Sequence, residues 1–228
     1  MAPGGPDLAV RRRSRRGVWF KEFVSERSLN SALRGGLLVP LTRLSFNVGT
    51  GWTHTSERPG FEIDARAERD EREFTSAAEV VTFARTRFGV RGGRRRFEYE
   101  EGQTFNGVDL RQEISRTNDV FAFTTRYELT PLTRFAVNLS REQDRFLYNP
   151  LRDSDTGRIE AGLEFDPSAL ISGGARLGYR DFDPGDPALA GYSGLTASAN
   201  IAYVALDTMR VSFQAGRDVE YSYDETQP

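Results

Sequence analysis

The chain has 228 residues, no cysteine, one histidine and a formal net charge of −2, so it can build neither a disulfide framework nor a thiolate metal site, and no basic excess recommends a nucleic-acid partner. Hydrophobic residues make up 38% and mean hydropathy is −0.54, and the longest apolar runs fall far short of the roughly 20 residues a transmembrane helix needs. One large all-β domain fits this length, and a membrane barrel stays within the bounds, because half of each strand and all of its loops are polar.

Residues 1–27 carry the run Arg11-Arg12-Arg13-Ser14-Arg15-Arg16. The apolar core and small-residue cleavage site of a secretory signal do not follow it. The segment is expected to be a basic, disordered or truncated N-terminal end, and 28–228 to be one β domain. A repeated phrase organises that domain. Val39-Pro40-Leu41-Thr42-Arg43-Leu44-Ser45-Phe46-Asn47-Val48 returns as Thr130-Pro131-Leu132-Thr133-Arg134-Phe135-Ala136-Val137-Asn138-Leu139, with weaker echoes at Thr86–Val90 and Thr208–Phe213. Each is a tight turn that launches an alternating strand, and such recurrence is an architectural signal.

In chain order the pattern predicts ten strands in five hairpins. The first pairs Ser28–Leu38 with Thr42–His54 through Pro40, and a charged loop runs from Thr55 to Arg72. The second pairs Glu73–Ala84 with Thr86–Tyr99, followed by a loop from Glu100 to Asn118. The third pairs Asp119–Leu129 with Thr133–Phe146, and the fourth pairs Gly157–Phe165 with Ala169–Arg180 across Asp166-Pro167-Ser168. A Pro-, Gly- and Asp-rich loop from Asp181 to Gly191 leads to the fifth, Ser193–Leu206 with Met209–Tyr223. Short turns and long polar loops therefore alternate.

Within the strands, period-two alternation sets one face against the other. Leu44, Phe46, Val48, Phe135, Val137, Leu139, Ile159, Leu163, Val211 and Phe213 form the apolar face, while Glu73–Ala84 assigns no clear face. A soluble sandwich would bury that face, and a membrane barrel would turn it to lipid. Strands of about ten residues exceed the usual five or six and match a tilted bilayer crossing. Aromatics gather near predicted strand ends: Trp52, Tyr127, Phe165, Tyr179 and Tyr221, with Phe97, Tyr99, Phe146, Tyr148 and Tyr223. That placement suits interfacial girdles. The expected fold is an antiparallel up-and-down transmembrane β-barrel.

The stretches Phe165-Asp166-Pro167-Ser168-Ala169-Leu170-Ile171-Ser172-Gly173, Tyr192-Ser193-Gly194-Leu195 and Arg217-Asp218-Val219-Glu220-Tyr221-Ser222-Tyr223 carry a resemblance. The chain resembles the β-barrel porins of Gram-negative outer membranes that are often found near exosortase and exopolysaccharide loci. The resemblance implies an outer-membrane location and a porin-like passive channel or polysaccharide-export barrel, with no catalytic residue carried over. The sequence departs from the pattern in having no secretion signal and in ending at Thr226-Gln227-Pro228 instead of a closing aromatic strand. The piece is therefore expected to belong to a larger barrel.

The first charged residues after the short turns, Arg43, Arg87, Arg134 and Arg210, would face the lumen as a partial ring near the periplasmic mouth. Such rings tune ion passage. The plainer alternative is that they pair with nearby carboxylates. Arg126, Glu128, Arg158, Glu160, Glu164, Arg176 and Arg180 would line the wall higher up, mixed in sign. His54, beside Trp52, reads as an interfacial polar residue. Asp153-Ser154-Asp155 and Asp181–Asp186 read as turns, and Arg91-Gly92-Gly93-Arg94-Arg95-Arg96 as a barrel rim near lipid phosphates.

No cofactor or metal is implied. The expected partners are outer-membrane lipid and lipopolysaccharide, with small solutes or polysaccharide as cargo and no nucleic acid. A soluble β-sandwich or adhesion-type binding module is the alternative architecture. A barrel enzyme is the weaker one, because a single histidine has no evident nucleophile beside it.

Overall fold

A computed structural model describes residues 10–18, 28–59, 63–64, 66–83, 85–167, 169–205 and 209–218. The strands are β1 (Val10–Val18), β2 (Ser28–Pro40), β3 (Leu44–Glu57), β4 (Ala67–Phe83), β5 (Thr86–Tyr99), β6 (Thr104–Phe105), β7 (Val108–Asp109), β8 (Arg116–Thr130), β9 (Thr133–Phe146), β10 (Ser154–Phe165), β11 (Ile171–Pro184), β12 (Tyr192–Ala205) and β13 (Met209–Arg217). A short helix, α1 (Leu110–Ile114), follows β7, and a 3-10 turn spans Pro150–Arg152. All strands except the β6–β7 hairpin form one eleven-stranded antiparallel sheet in simple order from β1 to β13. This is the up-and-down barrel architecture expected from the alternation. The ten expected strands are present, and β1 adds one within the basic segment expected to be disordered or truncated, where Val10–Val18 pairs with Ser28–Gly36.

The short turns follow from local chemistry. Pro40 ends β2, where it has no ladder N–H to offer, and Leu41 N donates to Leu44 O at 2.7 Å. Pro131-Leu132 closes β8–β9, and Leu132 O accepts Asp166 N from the next short turn at 2.9 Å. In the loop between β5 and β8, Asn106 (φ 50) and Gly107 (φ 83) supply the two left-handed positions of a tight hairpin turn.

Register places every predicted apolar residue on one face. Leu44 pairs with Val80, Phe46 with Ala78, Phe123 with Leu139, Leu139 with Ile159 and Phe213 with Ile201. That face is bare: Phe121 is 60% exposed, Leu177 71% and Leu195 70%. A soluble sandwich would have to bury it, so the sandwich alternative fails.

The other face is polar, and it is concave. Some of its ion pairs join strands that are not neighbours, such as Arg126 on β8 with Glu79 on β4, and Arg158 on β10 with Asp218 beyond β13. Among the described residues, ion pairs on the apolar face reach no further than an adjacent strand, as between Arg94 and Asp119. Side chains converge only on the inner side of a curved sheet.

The apolar face also reports strand tilt. The row that starts at Leu44 passes through Val80, Phe88, Thr125, Val137, Ala161, Leu177 and Ala197 to Arg217. On β13, however, the apolar run begins at Met209, eight residues short of that row. A drop of about 27 Å along the strands over about 38 Å across them gives an inclination of about 35°. Outward apolar residues on β12 run from Leu195 to Tyr203, about 27 Å along the strand and about 22 Å once tilted, close to the apolar belt of an outer-membrane barrel.

Trp52 and Tyr179 close the belt at the long-loop end, before His54 and Asp181, while Tyr127 and Phe165 lie toward the short turns. Tyr221 and Tyr223 lie outside the described residues. Phe97, Tyr99 and Phe146 correct the expected girdle. Strand parity turns them to the concave side, where they pack with the loops or beneath arginine guanidinium groups.

Candidate functional site

The sequence-predicted wall residues share the concave face, and the tilt arranges them. Once the descent of about one residue per strand is allowed for, Glu79 (β4), Arg87 (β5), Arg126 (β8), Arg134 (β9), Glu164 (β10) and Arg210 (β13) fall within about one residue of a common level. Arg176 on β11 stands about three residues higher. These side chains therefore share one depth on the tilted sheet, although they are scattered in register.

Its centre is Arg126. Nη1 donates to Glu79 Oε2 at 2.9 Å and Nε to Glu164 Oε2 at 3.1 Å. Small residues make this reach feasible: Ala136 is directly opposite Arg126, and Gly162 is opposite Ala136. Ala136, only 5% exposed, lies on the wall floor with Ala122 at 2%. Glu164 Oε1 accepts Arg176 Nη2 at 2.9 Å, Arg87 lies 3.5 Å from Glu79, and Arg134 Nη2 donates to Asp166 Oδ2 at 3.2 Å. Glu128 lies opposite Arg134 on the same face. Arg43 sits exposed in the first short turn. Neither Arg43 nor Arg210 has an ion-pair partner among the described residues.

Higher on the wall, Asp218 receives both Arg158 Nη2 at 2.8 Å and Arg180 Nη1 at 3.2 Å, and Glu160 lies 3.5 Å from Arg158. The arginine run alternates sides: Arg95 meets Glu73 on the concave face at 2.9 Å, while Arg94 grips Asp119 on the outer face with two bonds of 2.6 and 2.7 Å. His54 also faces outward, bonded to Asp70 at 3.0 Å and stacked on Trp52. Asp153 accepts the Phe146 N–H and Asp155 accepts Arg145, so both carboxylates of that expected turn are engaged by the end of β9.

Sequence reasoning missed the long-loop mouth. Leu110 and Ile114 of α1 pack with Ile63, Ala67 and Tyr99 into a buried cluster, with Phe97 and Phe105 against it. Phe97 and Tyr99 point to the concave side, so the 100–115 loop folds inward over the mouth. Asp109 caps α1 by accepting Arg111 N at 2.8 Å. Glu113 accepts Asn149 Nδ2 at 3.0 Å and Arg152 Nη1 at 3.5 Å, which ties α1 to the next long loop. The signal available in sequence was Asn106-Gly107, a hairpin dipeptide inside a supposed loop.

A family model described as "Putative beta-barrel porin 2" matches residues 32–228. Among solved structures, the chain is similar to "Outer-membrane expressed OmpT of Vibrio cholerae", with a TM-score of 0.51 and 11% identity over 77% of this chain and 48% of that one. The chain thus spans less than half of that structure, and at such identity the likeness is one of fold. No curated protein matches the chain.

Proposed function

The chain belongs to the Putative beta-barrel porin 2 family, and from that premise we propose that it forms a passive, charge-lined channel across the outer membrane. The level ring of Glu79, Arg87, Arg126, Arg134, Glu164 and Arg210 on the concave face carries the reading. An apolar outer belt faces lipid, including lipopolysaccharide, and the polar wall encloses water. A solute crossing the wall meets the ring's charges at one depth, where they act together on ion passage. We read the protein as non-catalytic, because the ring's carboxylates are held in ion pairs with arginine and none is poised as an acid or base.

The test is reconstitution in planar bilayers under a salt gradient. Open-channel conductance is expected, and Arg134→Glu should move the reversal potential toward cation selectivity. Bilayers that stay silent with well-folded protein would remove the pore reading. An unmoved potential would remove the ring from selectivity.

A further inference from the structure

A cavity of about 670 Å³ opens on the concave side of β10–β13, between Glu164, Arg176, Ser198, Asn200, Arg210 and Gln214. Its cations differ from Arg126. That guanidinium is held between two carboxylates, whereas Glu164 is the sole carboxylate in the cavity's described lining and is already shared between Arg126 and Arg176. Arg210 has no carboxylate partner among the described residues. Among the described residues, the cavity therefore carries more positive than negative charge.

Its neutral lining is equally specific. Asn200 lies directly opposite Gln214, and Ser198 directly opposite Arg176. Two amides and a hydroxyl can each donate and accept hydrogen bonds. The described lining holds no aromatic side chain, so recognition by ring stacking has no platform there. The Arg210 guanidinium suits a carboxylate, and the amides and hydroxyl suit a chain of hydroxyl groups.

We propose that this cavity is a binding subsite for small hydroxylated carboxylates, with Arg210 engaging the carboxylate and Gln214, Asn200 and Ser198, further up the same face, the hydroxyls. The assignment rests on the pore reading only for its biological setting.

Calorimetric titration of the full chain in detergent with gluconate, acetate and sorbitol tests binding without needing a current. Gluconate should bind about tenfold more tightly than either probe, and Arg210→Gln should cost about tenfold in gluconate affinity. Arg91→Gln, on the concave face but outside this cavity, should leave affinity unchanged, and Arg210→Lys should retain part of it. Gluconate binding no better than sorbitol overturns the subsite. Equal weakening by Arg210→Gln and Arg91→Gln also overturns it, because diffuse charge would then suffice. Binding without conductance would sink the pore reading and leave the subsite standing, whereas conductance without binding would do the reverse.

Discussion

The guanidinium of Arg126 bonds the Glu79 carboxylate at 2.9 Å although a whole strand, β5, runs between their backbones. The same side chain reaches Glu164 across β9. One cation thus cross-braces four ladders of the wall and neutralises two acids. Arg126→Gln leaves both acids facing the lumen, so the reversal potential in a salt gradient should move toward cations. Because Arg126 and Glu79 are about a third exposed and Glu164 about a fifth, the stability cost should be only about 1 kcal/mol. Thermal unfolding in detergent separates the two effects. A large loss of stability with unchanged selectivity would make Arg126 a brace alone.

The wall floor is close-packed where Arg126 crosses it. A Cβ added at Gly162 would come within 2.8 Å of Arg176 Cα, backbone that cannot yield without parting β10 from β11, whereas one added at Gly157 meets nothing within 4 Å. Gly162→Ala should cost about 1–3 kcal/mol, and Gly157→Ala should be near neutral. Urea unfolding from vesicles checks the contrast, and equal effects would contradict the close approach.

Depth should govern the outer face. Val137 sits inside the apolar belt on β9, while Phe121 marks its upper edge on β8, followed by Asp119. Val137→Arg should cost about 2–4 kcal/mol in folding into vesicles and Phe121→Arg about 0–1. Equal costs would mean that the belt, and the tilt drawn from it, are misplaced.

At the long-loop mouth, Glu113 holds α1 to Asn149 and to Arg152, whose side chain is only 6% exposed. Glu113→Ala should loosen α1 while sparing the sheet. Amide exchange over Leu110–Ile114 should accelerate by about tenfold or more, with β8 and β9 unchanged. Unchanged exchange at α1 would show that the apolar cluster alone holds the loop.

Alternation is local, so ten strands, two faces and the turn-loop rhythm were legible in the residues themselves. Where the reading fell short, the causes are particular. Glu73–Ala84 blurred because a register shift between Val81 and Phe83 breaks its period; the structure turns Glu73, Thr75, Ala77 and Glu79 to the concave face. Strand ends were read too short: β4 starts at Ala67, not Glu73, and β11 runs to Pro184, not Arg180. Ladders continue beyond the apolar belt into charged residues, where hydrogen bonding persists but hydropathy alternation fades.

The amino-acid order by itself determined which side of each strand meets lipid and which meets water, because side chains change face at every residue. Only the tertiary structure decided that Arg126 would sit between Glu79 and Glu164, that residues scattered in register would share one depth, and that the 100–115 loop would fold over the mouth. Those outcomes depend on stagger, curvature and loop docking, which arise between strands far apart in the chain and leave no periodic trace within any one of them.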